Sequence, residues 1–377
     1  MIFAVPDFRF FSRLVALAIT LAPPSPMAQT NTNLVAQWLA HAPPIPEFKS
    51  PSSLKSWEKQ RKEIRATLWE LLGQLAPRPT VPKVTTLSRE DRGDYLVEKF
   101  EFDNDAGTTV PGYLFLPKNA STRNKRPAIL YCHYHGGEYD NGKEEVLKSW
   151  PTAEPPGPAL ARRGFVVIAI DAYCFGERSG KGPGGPAEKG SREELTTAKF
   201  NLWVGWTLWG MILRDDLMAL DYLASRKEVD AARIGVTGFS MGATRTWWLL
   251  ALDERLKTGV AVACLTRYQD LIETVALAAH GIYYFVPRML NYFDTEAVIA
   301  LHAPRPVLFM TGDADRGSPA SGVRTIEAKV KPVYRLYGAE KNFENTLYPE
   351  LGHKYLPEMW ERTLAWFDQH LASGGGR

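Results

Sequence analysis

The pattern of most obvious chemical use is Gly238-Phe239-Ser240-Met241-Gly242. The residues before it, 233–239 (RIGVTGF), are apolar and β-branched and predict a buried strand, while those after it carry apolar side chains at helical spacing. A strand that turns at once into a helix leaves no room for side chains at the flanking positions, which accounts for both glycines. The same turn lifts the Ser240 hydroxyl out of the sheet and sets it at the positive end of the helix dipole. The alternative is a glycine turn with a structural purpose only. A serine hydroxyl is a poor nucleophile at neutral pH and needs an imidazole, held in one tautomer by a carboxylate.

The sheet architecture implied by such a turn orders the three residues Ser, acid, His. Downstream histidines stand at 280, 302, 353 and 370. His353, in the ELGHKYL segment between the last strand and the last helix, is the expected base. His302 precedes the lead-in to a strand and belongs to the opposite edge, His370 lies in the terminal helix, and His280 is the nearest rival. The acid is expected in 312–319 (GDADRGSP), after a strand at 306–312. Asp315 projects farther from the strand end than Asp313, which is expected to cap the turn through its own backbone. An oxyanion formed at this serine would also need backbone N–H donors. Met241 supplies one. The other is expected from His135-Gly136-Gly137, with Gly137 preferred and Gly136 close behind, because glycine lets the backbone approach a ligand closely. Tyr134 and Tyr139 flank this loop and are candidate pocket residues.

Elements able to position these groups are legible around them. Segments 129–135, 165–171, 233–239, 259–265 and 306–312 read as near-continuous apolar strands, and helical patterns separate them: 156–164, a long one over 202–225, and one after Ser240. This alternation predicts a mostly parallel, doubly wound α/β sheet covered on both faces. Segments 95–102 and 110–116 read as an antiparallel pair, 332–338 (PVYRLYG) as a last strand and 358–371 as a last helix. A helix over 52–75, capped by Ser52 or Ser53 and ended by Gly73, dominates an N-terminal helical extension placed at 29–94, ahead of a catalytic domain at 95–373. Residues 266–303 are longer than a simple crossover and are expected to form a helical cap, with Tyr268, His280, Tyr283, Tyr284 and Tyr292 forming an aromatic wall or, for most of them, the cap's own core. Residues 180–190 form a glycine-rich loop without a phosphate-loop pattern.

Together these residues resemble the α/β-hydrolase superfamily, within it the dienelactone-hydrolase, acetyl-xylan-esterase and prolyl-oligopeptidase-like branch. The resemblance covers roughly residues 95–372. It rests on His135-Gly136-Gly137, on 171–178 (DAYCFGER), on GFSMG, on 312–315 (GDAD) and on Gly352-His353. It implies the α/β-hydrolase fold, a Ser240–His353–Asp315 triad and cleavage of carboxylic esters through an acyl-enzyme, including acetyl or other esters of carbohydrates. Asp315 resembles the acid of the G-x-x-D-x-x-x-P loop of many serine hydrolases. Glu177 and Arg178 are expected to pair locally at the site rim. Two departures stand out: Ala243 where many relatives carry glycine, and a serine where true dienelactone hydrolases carry cysteine.

Composition bounds the alternatives. The chain has 377 residues, 45% of them hydrophobic, and a net charge of +3. It carries no lysine-arginine run with interleaved aromatics, so no nucleic-acid partner is expected. Arg9 and Arg13, an apolar run over 14–22 and small residues up to Ala28 read as a signal peptide at 1–28, too short to span a bilayer, and imply a secreted or periplasmic protein. Cys132, Cys174 and Cys264, odd in number, read as buried free thiols. A serine peptidase is the runner-up activity, disfavoured because about ninety residues ahead of the domain are too few for a propeller. A metallohydrolase using His133, His135 and Glu138 lacks further ligands, so no metal or cofactor is expected. A non-catalytic binding protein would ordinarily have lost one of the three residues. The oligomeric state is not legible.

Overall fold

The computed structural model describes residues 26–372, with side chains from residue 34. The signal peptide read at 1–28 therefore lies outside the described residues, apart from its last three positions in the first helix, α1 (Pro26–His41). The next helix, α2 (Leu54–Leu72), starts at Ser53, whose side chain accepts the N–H of Ser56, and stops at Gly73 with φ of 101°. Trp57, Ile64, Leu68, Leu71 and Leu72 recur at helical spacing and are buried, so the helix is held by its apolar face.

A nine-stranded sheet follows, in the order β1-β2-β3-β5-β4-β6-β7-β8-β9. Its antiparallel end holds β1 (Val84–Asp91), β2 (Tyr95–Asp103) and β3 (Thr109–Pro117). β3 joins antiparallel to β5 (Val166–Ile170), from which the rest is parallel: β4 (Arg126–Cys132), β6 (Val229–Phe239), β7 (Leu256–Val262), β8 (Val307–Gly312) and β9 (Phe343–Tyr348). The central strands β5 and β8 are buried at every residue, as strands covered on both faces must be, whereas the edge strand β1 is almost wholly exposed. One face is covered by α3 (Pro156–Arg162) and α10 (Pro357–Phe367). The other is covered by α2, α5 (Leu208–Ser225), α6 (Met241–Leu252), α8 (Thr295–Ala300) and α9 (Ala320–Leu336). The expected doubly wound sheet is thus observed, and Cys132, Cys174 and Cys264 are buried free thiols.

Three expectations need correction. Residues 332–338 are not a strand: they end α9, and the last strand is β9. Val323, Ile326, Val330, Val333 and Tyr334 form one buried helical stripe, and this apolar face overrides both the strand-like composition of the short segment and Pro332 inside the helix. The long helix over 202–225 is two, α4 (Gly190–Trp203) and α5, because Gly205 turns the chain at φ of 81° and Thr207 caps α5 by accepting the N–H of Gly210. The extension at 29–94 is not purely helical, since β1 lies inside it and continues the sheet. Its alternation escapes notice because an exposed edge strand carries little apolar signal.

Candidate active site

Ser240 sits between β6 and α6 with φ of 57°, a left-handed conformation uncommon for a residue with a side chain. The flanking glycines are there for want of space: a Cβ on Gly238 would lie 2.3 Å from the Cys132 carbonyl oxygen, and one on Gly242 would lie 2.0 Å from the same atom. The turn is therefore wedged against the end of β4. The Ser240 hydroxyl lies 2.9 Å from His353 Nε2, and His353 Nδ1 lies 2.7 Å from Asp315 Oδ2. Asp315 is buried, and its other oxygen accepts the N–H of Gly317 at 2.8 Å. Its carboxylate is thereby fixed on the ring it faces. The Phe239 ring backs the imidazole at 4.9 Å.

The neighbouring candidates are placed elsewhere. Asp313 accepts the N–H of Glu350 at 2.7 Å, so it ties the β8 loop to the loop that carries His353 rather than capping its own turn. His280 Nε2 contacts the Gly317 carbonyl at 2.9 Å and its ring stacks on Tyr284, which puts it on the acid loop and not on Ser240. Burial lowers its pKa below the ordinary imidazole value. His302 is buried against the Trp247 carbonyl at 2.8 Å, and His370 packs on Trp366. Cys264 Sγ lies 4.0 Å from the Ser240 hydroxyl, and burial pushes this thiol up to about 12, keeping it protonated.

The loop after β4 is organised by a buried carboxylate that spacing alone does not reveal. Glu194, near the start of α4, accepts His135 Nε2–H at 3.0 Å, the Tyr139 hydroxyl and the backbone N–H of Tyr283 at 3.2 Å. His135 Nδ1 in turn accepts the N–H of Gly137 at 3.0 Å. The N–H groups of Gly136 and Met241 have no protein acceptor among the described residues. Tyr134 and Tyr139 stand behind the loop rather than in the pocket: Tyr134 is buried with its hydroxyl 2.5 Å from Glu138, and Tyr139 stacks on Phe175. His133 and His135 do not form a pair on a strand, because β4 ends at Cys132. His133 contacts the Tyr134 carbonyl through Nδ1 and the Ala172 N–H through Nε2. Glu177 and Arg178 do not pair with each other; Glu177 binds Lys143 and Lys99, and Arg178 binds Asp215.

Ser240 opens on a cleft of about 630 Å³ between the loop at His135–Gly137, the acid loop and residues 278–283. Of the expected aromatic wall, Tyr283 and His280 face this cleft, while Tyr284 is buried behind it. The rest of the 266–303 segment is α7 (Tyr268–Glu273) and short helical turns, together with α8, which belongs to the main core.

A serine–imidazole–carboxylate line at the carboxyl edge of a doubly wound sheet, its carboxylate buried and its imidazole open to the cleft, defines the α/β-hydrolase class. The model of the Abhydrolase family matches residues 28–356, and the chain belongs to that family. A protein of Bacillus subtilis (strain 168) named as a hydrolase, YtaP, is 38% identical over 281 residues, 74% of this chain and 89% of its own. Among solved structures, one from Bacteroides fragilis NCTC 9343 named as an acetyl xylan esterase superposes with a TM-score of 0.64 at 20% identity, covering 84% of this chain and 81% of its own. The glucuronoyl esterase from Solibacter usitatus superposes with a TM-score of 0.63 at 19% identity, covering 86% and 99%. These two likenesses are of fold.

Proposed function

We propose that this chain is an exported serine carboxylic-ester hydrolase that works through an acyl-enzyme and takes acetyl or other esters of carbohydrates. The observation that carries this reading is the unbroken line Asp315–His353–Ser240, with contacts of 2.7 and 2.9 Å, opening on a cleft. Ser240 Oγ attacks the ester carbonyl as its proton passes to His353 Nε2, and Asp315 holds the imidazole through Nδ1–H and stabilises its charged form. The N–H groups of Met241 and Gly136, both without a protein acceptor, face the oxyanion. Gly137, the donor that the sequence favours, has its N–H bound to His135 and here shapes the loop. His353 then gives the proton to the departing alcohol, and water brought in by the same base releases the acid.

The carbohydrate part of the reading draws on fold likeness to enzymes named for xylan acetyl and glucuronoyl esters, and on a cleft lined by Tyr283 and His280. Export rests on the leader pattern at 1–28. No helix among the described residues is long and apolar enough to cross a membrane.

The test is turnover of p-nitrophenyl acetate and butyrate, acetylated xylose, a methyl glucuronate ester and a proline p-nitroanilide by the wild type and Ser240→Ala. Ester turnover is expected to fall by about 10⁴-fold or more in a variant that still folds. Ester cleavage at the wild-type rate would remove Ser240 from the reaction, and cleavage of the anilide alone would make the protein a peptidase. Activity retained after EDTA separates this mechanism from a metallohydrolase.

A further inference from the structure

Away from the Ser240 cleft, and sharing no wall residue with it, lies a second cavity of about 220 Å³ between the turn at 106–108, the segment Tyr173–Arg178, the glycine-rich loop and α4. Its wall includes Arg178, which is 2% exposed. One nitrogen of that guanidinium, Nη1, is occupied: it donates to the Asp171 carbonyl at 3.1 Å and to Asp215 Oδ2 at 2.8 Å. The other edge is not. Nε and Nη2 are buried and have no partner among the described residues. Asn201, 3% exposed and in the same wall, also leaves its Nδ2 donor unpartnered among the described residues.

A buried donor left unmatched is costly, and more so on a charged group, so the cavity calls for an occupant rich in acceptors. The edge formed by Nε–H and Nη2–H presents two parallel donors, the spacing that matches both oxygens of one carboxylate. Stacking of the guanidinium on the Tyr173 ring, 3.8 Å from its centroid, holds that fork in plane. The nearby acids do not compete for the place. Glu193 has its oxygens taken by the N–H groups of Gly180, Lys181 and Gly182 at 2.7, 3.1 and 2.9 Å, and Asp215 is held by Arg178 and by Asn104 at 3.0 Å. The loop that Glu193 pins is the glycine-rich stretch at 180–190, and it is here a fixed wall. Exposed Lys181 stands at the mouth, and Phe200 and Trp206 add apolar surface. The volume exceeds what one or two waters fill and accepts a body about one ring across.

We propose that this cavity is a second binding site, for a small organic carboxylate whose charged end seats on the Arg178 fork and whose ring rests against Phe200 and Trp206. Sugar acids and aromatic acids share this chemistry, and the fork recognises either. The site is independent of the esterase reading.

The experiment is calorimetric titration of the full chain with benzoate, glucuronate, acetate and inorganic phosphate, with crystals soaked in the acid that binds best. Saturable binding of benzoate or glucuronate is expected, tighter than acetate, with density on Arg178; which of the two binds better separates the aromatic from the sugar source. Arg178→Lys keeps a charge opposite Asp215 but loses the fork, and should weaken binding at least tenfold. Should that variant fail to fold, Asn201→Leu leaves the buried ion pair intact and should weaken binding severalfold. Phosphate binding more tightly than every carboxylate overturns the proposal. So does the absence of saturation below about 20 mM, as does density showing only water on Arg178.

Discussion

Two glycine-bearing turns face each other across Ser240, and they are held in place by different physics. The turn at Gly238–Gly242 is fixed by exclusion: the missing side chains would fall 2.0 to 2.3 Å from the Cys132 carbonyl oxygen, so the backbone has one way to pass. The loop at His135–Gly137 is fixed by polar contacts from far along the chain. Glu194, 59 residues from His135, orients that ring, and the ring accepts Gly137 N–H. A Cβ on Gly137 would meet nothing within 4 Å; only its φ of 75° disfavours a side chain. Steric fit is written into the local sequence as glycine, whereas a hydrogen-bonded loop depends on a partner that no local pattern announces.

The contrast can be broken at either turn. The largest effect is expected at the carboxylate that serves the serine: Asp315→Asn should lower kcat by about 10³- to 10⁴-fold, since the imidazole loses the acceptor for Nδ1–H. Asp313→Asn should stay within about tenfold, because Asp313 only ties two loops together. The reverse ranking in ester hydrolysis would reassign the acid. Gly242→Ala should cost about 2–4 kcal/mol of stability in denaturant melts and lower kcat, whereas Gly137→Ala should cost about 1 kcal/mol. Equal costs would mean the two turns are held alike.

Glu194→Gln tests the polar turn. It keeps one acceptor but cannot satisfy His135, Tyr139 and Tyr283 together, so kcat should fall about tenfold with KM little changed. A change in KM alone would make Glu194 a wall of the cleft rather than a support of the loop.

The smallest effect concerns Glu145, buried beneath the same loop, where it accepts Tyr131 Oη–H and Tyr134 N–H at 2.6 Å each. Burial raises its pKa to about 8 from an ordinary 4.5. The folded state then holds a proton that the unfolded chain has lost between those values, so this group's stabilising contribution is complete below pH 4.5 and declines as pH rises to 8. Thermal melts of the wild type should drop across that window by a few degrees more than those of Glu145→Gln. Parallel curves would show that Glu145 is not the titrating group.

Much of the fold and of the candidate site was legible because each feature had a local cause. Buried parallel strands read as apolar runs, the glycines around Ser240 read as a turn without room, and Asp315 and His353 follow from the order in which such a sheet brings its loops to one edge. Residues 332–338 read as a strand because a short run with Val333, Tyr334, Leu336 and Tyr337 looks like one when the helical stripe begins nine residues earlier, at Val323. The exposed strand β1 had too little apolar signal to be seen.

By itself, then, the sequence determined the layered α/β architecture, the tight turn that carries Ser240, and the loops that hold Asp315 and His353, since periodicity and steric exclusion act between near neighbours. Only the tertiary structure decided which polar groups meet. It put Tyr134 and Tyr139 behind the His135–Gly137 loop, set Glu194 on His135, bound Gly137 N–H while leaving that of Gly136 open, and sent Arg178 to Asp215 with its other edge unmatched among the described residues. Hydrogen bonds and ion pairs join residues by position in space, and a chain written in one dimension does not carry that position.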